Sequence, residues 1–288
     1  MCYNLIMKIN NFKNVEYWFE PSDNLKDFTC EMSRNDHGFL CGLIKKFKPH
    51  KIVEIGIAEG GTTGVIINAL NILNLDYKMY SVDISDDFSG NGIKTGYELD
   101  KFDLDISNHK FLFGKSIAGF IDDIGNDIDF VVLDTVHIVP GEILDILTIL
   151  PYLSKNAVIV MHDVDLCRIY SLNKEYYDYY EESISNKLAF LSIDGEKYLN
   201  TNLNGLYGND LSNICAVKVN DNTYKNVINL FYSLTMPWSY KLSDRLYEEY
   251  SSIFKKYYNA ECLDIFKSAY LYSNNYKCTK NKNIDNWK

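Results

Sequence analysis

Two pairs of acidic and histidine residues follow two apolar segments of the chain. Asp134 and His137 come after the apolar run 130–133, and His162 and Asp163 come after the run 157–161. In an open parallel sheet, ligands bind outside the carboxyl ends of the strands, so side chains that follow consecutive strands can meet in one crevice. Two carboxylates and two imidazoles could there hold a divalent metal and supply a general base. A carboxylate-dominated site suits Mg²⁺ or Mn²⁺, whereas His162 as a ligand would also admit Fe²⁺, Co²⁺ or Zn²⁺.

A turn rich in small residues follows the apolar segment 51–55. It contains Gly56, Ala58, Gly60 and Gly61. Such a turn lets the backbone approach a ligand and leaves N–H groups of the next helix free to bind it, and Thr62 or Thr63 is expected to cap that helix. The spacing alone fits a dinucleotide site nearly as well as an S-adenosylmethionine site.

Three further residues fit a nucleotide-like cofactor. Glu54 lies inside the apolar segment before the turn, where burying a carboxylate is costly unless it has a role. Asp83 follows the second predicted strand, where a carboxylate can accept both ribose hydroxyls. Ser116 follows the third predicted strand and is expected near an adenine ring.

The elements that must position these residues alternate between strand and helix patterns, which predicts a doubly wound parallel sheet. The predicted strands are 51–56, 77–82, 110–113, 129–133, 157–161, 188–193 and 214–219, and the predicted helices are 33–47, 63–73, 140–150 and 222–234. A polar loop with one short helix is expected at 84–109, and the tyrosine-rich segment 170–180 is a candidate lid. Without a Pro/Gly-rich linker, we predict one domain over 31–235, an N-terminal lead-in over 1–30 and a helical C-terminal extension over 236–288.

Composition narrows the class of protein. The chain has 288 residues, 47% of them hydrophobic, and a net charge of −10, which disfavours nucleic-acid binding. Its seven cysteines show no CxxC spacing, so we expect reduced thiols. No apolar run approaches the length of a membrane span, and the N-terminus lacks a signal-peptide pattern. These features predict a cytoplasmic globular protein.

The order of the strand-end motifs resembles that of class I S-adenosylmethionine-dependent methyltransferases over about residues 35 to 165. The motifs are 53–62 with its small-residue turn, then Asp83, then Asp134 and His137, then His162–Asp163. The nearest resemblance is to cephalosporin-hydroxylase-like proteins and macrolide sugar O-methyltransferases. It implies a Rossmann-like sheet of order 3-2-1-4-5-7-6 with the last strand antiparallel.

The resemblance also implies roles for these residues. The cofactor would lie across 56–62 and contact Asp134, with Glu54 anchoring the turn and the cofactor's cationic end. In the sugar-modifying relatives, the acid after strand four and a pair after strand five hold a divalent metal, which here implies Asp134, His162 and Asp163. His162 departs from the pattern, because those relatives have a carboxylate there. His137 would be the base.

The implied activity is O-methyl transfer to a hydroxyl of a small-molecule or glycan acceptor, with a sugar first and a phenol or catechol second. Relatives of this kind often self-associate, so a homo-oligomer is also implied. The residues themselves leave two alternatives open. One is an NAD(P)-dependent oxidoreductase, which would use the same glycine turn. The other is a non-catalytic binding protein of the same fold.

Overall fold

Seven strands form one sheet in the computed structural model, which describes residues 13–20, 32–88, 90, 92–168, 182–200, 213–275 and 282–283. The strands are β1 (Lys51–Ile55), β2 (Lys78–Asp83), β3 (His109–Phe113), β4 (Ile128–Leu133), β5 (Leu153–His162), β6 (Glu196–Leu199) and β7 (Ile214–Lys218). Their order is β3-β2-β1-β4-β5-β7-β6, and β7 runs antiparallel to both of its neighbours. The predicted order and the antiparallel last strand are confirmed.

The sheet is buried on both faces, as its nearly continuous apolar strands require. Successive residues of β4 point to opposite faces. Phe130 and Val132 join the core on one face, whereas Val131 and Leu133 join the core on the other. All four are fully buried.

Helices cover both faces. They are α1 (Arg34–Phe47), α2 (Gly61–Ile72), α3 (Ile121–Ile124), α4 (Gly141–Ile149), α5 (Ser185–Ser192), α6 (Asp221–Lys225), α7 (Ile228–Ser233), α8 (Asp244–Tyr257) and α9 (Ala260–Asn275). Apolar residues of α1 and α2 fill the core on one face. Those of α3, α4, α5, α7, α8 and α9 fill the core on the other.

The two C-terminal helices are therefore part of the packed structure. On α8, Phe254 is fully buried and its ring lies 5.0 Å from that of Phe266 on α9, measured between centroids. The Tyr258 hydroxyl donates a hydrogen bond to the Leu147 carbonyl of α4 at 2.6 Å. Within the described residues, no helix is both long and apolar enough to cross a membrane. The described cysteines, which are Cys41, Cys167, Cys215 and Cys262, form no disulfide with one another.

Several predicted elements were wrong in detail. Residues 188–193, predicted as a strand, lie mostly in helix α5, and the sixth strand is Glu196–Leu199. A short apolar run does not by itself distinguish the two states, and here Phe190 is buried while Leu191 is 63% exposed, as on a one-sided helix. The predicted helix 222–234 is two helices, α6 and α7. The predicted tyrosine-rich lid at 170–180 lies outside the described residues.

Candidate active site

The turn between β1 and α2 is held close to the end of β4. Gly56 has φ +91°, and a Cβ there would lie 1.9 Å from the Asp134 carbonyl oxygen. Only glycine allows this approach, which the Asp134 N–H reinforces by donating to the Ile55 carbonyl at 3.0 Å. The small residues therefore bring the first predicted motif against the second.

The rest of the turn is also shaped by its backbone. Ala58 has φ +49°, a left-handed conformation that costs a non-glycine residue energy and is often found at ligand sites. Gly60, rather than Thr62 or Thr63, is the N-cap of α2, and it makes no side-chain cap bond. The prediction that Thr62 or Thr63 caps this helix was therefore wrong, because the helix begins before both residues. The Thr63 hydroxyl makes a different hydrogen bond, described next.

Glu54 accepts a hydrogen bond from the Thr63 hydroxyl. Thr63 Oγ1 and Ser81 Oγ both donate to Glu54 Oε2, at 2.7 and 2.6 Å, while the buried Oε1 has no hydrogen-bond partner among the described residues. Burial raises the pKa of Glu54 to about 7, although the hydrogen bonds from the two hydroxyl groups lower it. Glu54 thus ties β1 to α2 and β2, but it does not line the cavities described next.

Asp83, the last residue of β2, faces the turn as predicted. Its Oδ2 accepts from the Ile57 N–H and its Oδ1 from the Ser85 N–H, both at 3.0 Å. Burial raises the pKa of Asp83, and these N–H donors partly offset the rise. The carboxylate is therefore fixed beside the turn, at the wall of the larger cavity.

Two cavities lie along the carboxyl ends of the strands. The larger has a volume of about 330 Å³ and the smaller about 80 Å³. Both are lined by residues 56–58 and by Asp134, Thr135 and His137. The larger extends past Asp83 to Ser116 and on to helix α8, and the smaller extends past Gly61 and Thr62 to Met32. The glycine turn, Asp83, Asp134 and His137 thus share one crevice, while Gly60 packs against Gly96 outside it.

The predicted metal ligands come together beside this crevice. One ligand atom from each of Asp134, His162 and Asp163 lies within 4.8 Å of the others. His162 Nδ1 is 3.2 Å from Asp134 Oδ1 and 3.5 Å from Asp163 Oδ1. His162 ends strand β5 rather than following it, and its ring is buried.

Sequence reasoning missed Asp36, whose Oδ2 lies 3.6 Å from the opposite nitrogen, Nε2, of His162. Asp36 lies in the first turn of α1 and its carboxylate also accepts from the N-cap Ser33 hydroxyl at 2.6 Å. In sequence it reads as an ordinary acid of a helix start. Burial opposes charge on the His162 ring, but Asp163 and Asp134 more than offset it, so the pKa of His162 lies well above its ordinary value.

His137 stands between two carboxylates. Its Nε2 is 3.3 Å from Asp163 Oδ2, and its buried Nδ1 is 3.6 Å from Glu142 Oε1. The backbone N–H of His137 donates a hydrogen bond to Glu142 Oε1 at 2.5 Å, and this bond holds the residue at φ +61°. Burial lowers the pKa of His137, yet Asp163 and Glu142 raise it further, and the net shift is upward. Glu142 is a second residue that the sequence analysis missed.

Asp163, like His137, is held in a left-handed backbone conformation. It has φ +56°, and Asn213 Nδ2 donates to its Oδ1. Although burial opposes ionisation, His162 and His137 keep the pKa of Asp163 well below its ordinary value. Two carboxylates with one imidazole are a donor set that fits a divalent cation of borderline character.

The comparisons with known proteins agree with this geometry. Residues 53–164 match the family described as Methyltransferase domain. Over these residues, which are less than half of the chain, the protein is similar to a methyltransferase domain. The match begins at β1 and ends just after Asp163, so it includes the glycine turn and all four strand-end motifs.

Similar solved structures have low sequence identity to this chain. A candidate O-methyltransferase from Klebsiella pneumoniae is 14% identical, with a TM-score of 0.51 over 75% of this chain and 95% of that one. An O-methyltransferase from Streptomyces achromogenes, solved with S-adenosylmethionine, is 16% identical over 70% of this chain and 92% of that one, with a TM-score of 0.47. A Podospora anserina methyltransferase is 14% identical over 77% and 97%, with a TM-score of 0.49. No curated protein matches the chain.

The prediction of a class I methyltransferase with a Rossmann-like sheet is thus confirmed, and S-adenosylmethionine is the cofactor that goes with this class. The family match does not favour the NAD(P)-dependent oxidoreductase alternative or the non-catalytic one.

Proposed function

We propose that this protein transfers a methyl group from S-adenosylmethionine to a hydroxyl of a small-molecule acceptor, with a sugar as the favoured acceptor class. The observation that carries the proposal is the position of His137. It lines both cavities beside the glycine turn, and its Nε2 lies 3.3 Å from Asp163 Oδ2. A base at the junction of a cofactor cavity and a second cavity suits proton removal from an acceptor.

The residues present fit the cofactor. The left-handed turn around Ala58 presents backbone to the cavity, Asp83 is placed to accept ribose hydroxyls, and Ser116 lies farther along the same wall. Thr62 and Gly61 line the smaller cavity, where they would meet the amino-acid end. When bound, the cofactor supplies an electrophilic methyl group on a sulfonium centre.

The chain's own task is then to orient the acceptor and take its proton. Nδ1 of His137 is buried against Glu142, so we assign Nε2 as the nitrogen that accepts the hydroxyl proton. Asp163 Oδ2 lies beside this nitrogen, so the Asp163 carboxylate must shift to admit the acceptor hydroxyl. The imidazolium that results is stabilised by Asp163, whose Oδ2 lies 3.3 Å away. The acceptor oxygen, held in line with the methyl group, gains effective concentration as well as negative charge.

A divalent cation would be held by Asp134, His162 and Asp163, and it would lower the pKa of a bound acceptor hydroxyl. For this, His162 must give up the proton that its raised pKa favours, so binding should be tighter at higher pH. Mg²⁺ and Mn²⁺ are the first candidates, and the imidazole also admits Fe²⁺, Co²⁺ or Zn²⁺.

The test combines binding with turnover. Metal-stripped protein is titrated calorimetrically with S-adenosylhomocysteine, and methyl transfer from labelled S-adenosylmethionine is measured on a panel of sugars and catechols, with and without Mg²⁺ or Mn²⁺. His137→Ala should lower kcat by about 10²–10⁴-fold, the usual worth of a general base, and leave cofactor affinity nearly unchanged. His50→Ala is the matched control, because His50 is exposed at the opposite end of β1.

Two results would contradict the proposal. If the wild-type protein binds neither S-adenosylmethionine nor its demethylated product, the cofactor assignment fails. If His137→Ala abolishes cofactor binding, His137 is a binding residue and not the base.

A further inference from the structure

The larger cavity has a polar corner that the proposed reaction does not use. Asp145 of α4 and Tyr250 of α8 both line it, and each is buried, with 6% of its surface exposed. The Tyr250 hydroxyl donates to Asp145 Oδ1 at 3.3 Å, and the Thr135 hydroxyl donates to Asp145 Oδ2 at 3.4 Å. Asp145 is thus a buried carboxylate at a cavity wall, with one hydroxyl on each oxygen.

Both bonds are long for a hydroxyl on a carboxylate, which usually lies closer to 2.7 Å. A buried carboxylate can accept about four hydrogen bonds and is costly to leave short of donors. Burial, together with the negative charge of Glu142, raises the pKa of Asp145 to about 7. Above that pH, the ionised carboxylate can accept a further hydrogen bond, which would stabilise it. A ligand in the cavity can donate that hydrogen bond.

The position of the corner indicates which part of a ligand it meets. Tyr250 also contacts Ser116, and the neighbouring Glu249 places Oε2 3.4 Å from Ser116 Oγ. Ser116 follows β3, beyond Asp83 at the end of β2, so a nucleoside with its ribose on Asp83 would extend its base toward this corner. The walls between are apolar, with Ile84, Ile117 and Leu246 among them, and they suit a flat ring.

We propose that Asp145 accepts a hydrogen bond from the 6-amino group of the cofactor's adenine, and that Tyr250 positions the Asp145 carboxylate for it. This inference rests on the proposed function, because it assumes S-adenosylmethionine in the larger cavity. It assigns the recognition of the base partly to helix α8, which lies outside the matched residues 53–164. The amino group of adenine is a donor, whereas the 6-oxo group of hypoxanthine is an acceptor that would face the carboxylate unfavourably.

The experiment compares two probes that differ along this edge of the base, in the 6-substituent and in the proton that hypoxanthine carries on N1. S-adenosylhomocysteine and S-inosylhomocysteine are titrated calorimetrically at pH 8.5 into wild-type protein and four variants. Wild-type protein should prefer the adenine probe by about 10–100-fold, the usual worth of a hydrogen bond to a charged group. Asp145→Asn should weaken the adenine probe and strengthen the hypoxanthine probe, because the amide N–H can donate to the 6-oxo group.

Tyr250→Phe should reduce the preference several-fold without reversing it. Two matched controls should keep it. Asp122→Asn changes a carboxylate that also accepts a tyrosine hydroxyl, from Tyr152 at 2.5 Å, but Asp122 does not line the cavity. Tyr247→Phe changes a tyrosine of the same helix that stacks on Tyr270 instead.

The outcomes separate the two proposals. If wild-type protein binds neither probe, the proposed function fails, and this inference fails with it. If both probes bind equally, or if Asp145→Asn keeps the full preference for adenine, this inference is overturned while the cofactor assignment stands. Thermal melting checks that each variant is folded, and Tyr250→Phe, which removes one oxygen, carries the test if Asp145→Asn does not fold.

Discussion

Glu54 should make the stability of this protein depend on pH in a way that a single substitution removes. The Glu54 residue is 1% exposed, and both of its described hydroxyl donors bind the same oxygen, Oε2. Nearby, Asp134 and Asp83 add repulsion to the cost of burial, and the pKa rises from 4.5 to about 7. Glu54→Gln keeps the shape of the side chain and one carbonyl oxygen, but it cannot ionise.

The sign follows from proton binding. The folded protein holds the Glu54 proton up to about pH 7, whereas the unfolded chain releases it near pH 4.5. The folded state is therefore favoured below pH 4.5, and this advantage is lost as the pH rises through about 7. A shift of this size, at about 1.4 kcal/mol for each pH unit, is worth about 3 kcal/mol of unfolding free energy.

Urea unfolding at a series of pH values from 4.5 to 8.5 measures the effect. The quantity of interest is the unfolding free energy of Glu54→Gln minus that of the wild-type protein, because contributions of other titrating groups cancel in it. This difference in unfolding free energy should rise by about 3 kcal/mol between the lowest and the highest pH, because only the wild-type protein loses stability through Glu54. Glu16→Gln, at an exposed glutamate, should show no such trend. Parallel curves for Glu54→Gln and the wild-type protein would refute the reasoning.

Two further substitutions test the turn and the C-terminal packing. Gly56→Ala would place a Cβ 1.9 Å from the Asp134 carbonyl oxygen in a left-handed conformation, so calorimetry should show a more than tenfold loss of S-adenosylhomocysteine affinity. The control Gly92→Ala shares the positive φ, but its new Cβ would meet no described atom within 4 Å. Unchanged binding by Gly56→Ala would contradict the role of the turn. Phe254→Ala should lower the unfolding free energy by about 3–5 kcal/mol in urea titrations, because its ring is fully buried among those of Phe231 and Phe266. Leu271→Ala, at a side chain that is 49% exposed, should cost far less, and equal losses would argue against a shared core.

The sequence by itself was sufficient for the scaffold of the site. Apolar runs ending in Gly56, Asp83, Asp134 and His162 fixed where the strands end, and parallel strands bring such ends to one edge. The structure places the predicted residues at that edge, although Glu54 and Gly60 serve the packing of the turn. Neither these two residues nor His162 and Asp163 line the cavities. Sequence reasoning failed at 188–193, where a short apolar run fits a helix and a strand equally well.

Tertiary structure alone decided which other side chains complete the site. Asp36, Glu142 and Asp145 lie on helices where an acid is commonplace, and no spacing rule connects them to the strand ends. Tyr250 meets Asp145 across 105 residues of sequence, because α8 packs on the same face of the sheet as α4. Local patterns record how each segment turns and which face it buries. They do not record which distant helix closes a cavity, because that depends on how the buried faces fit together.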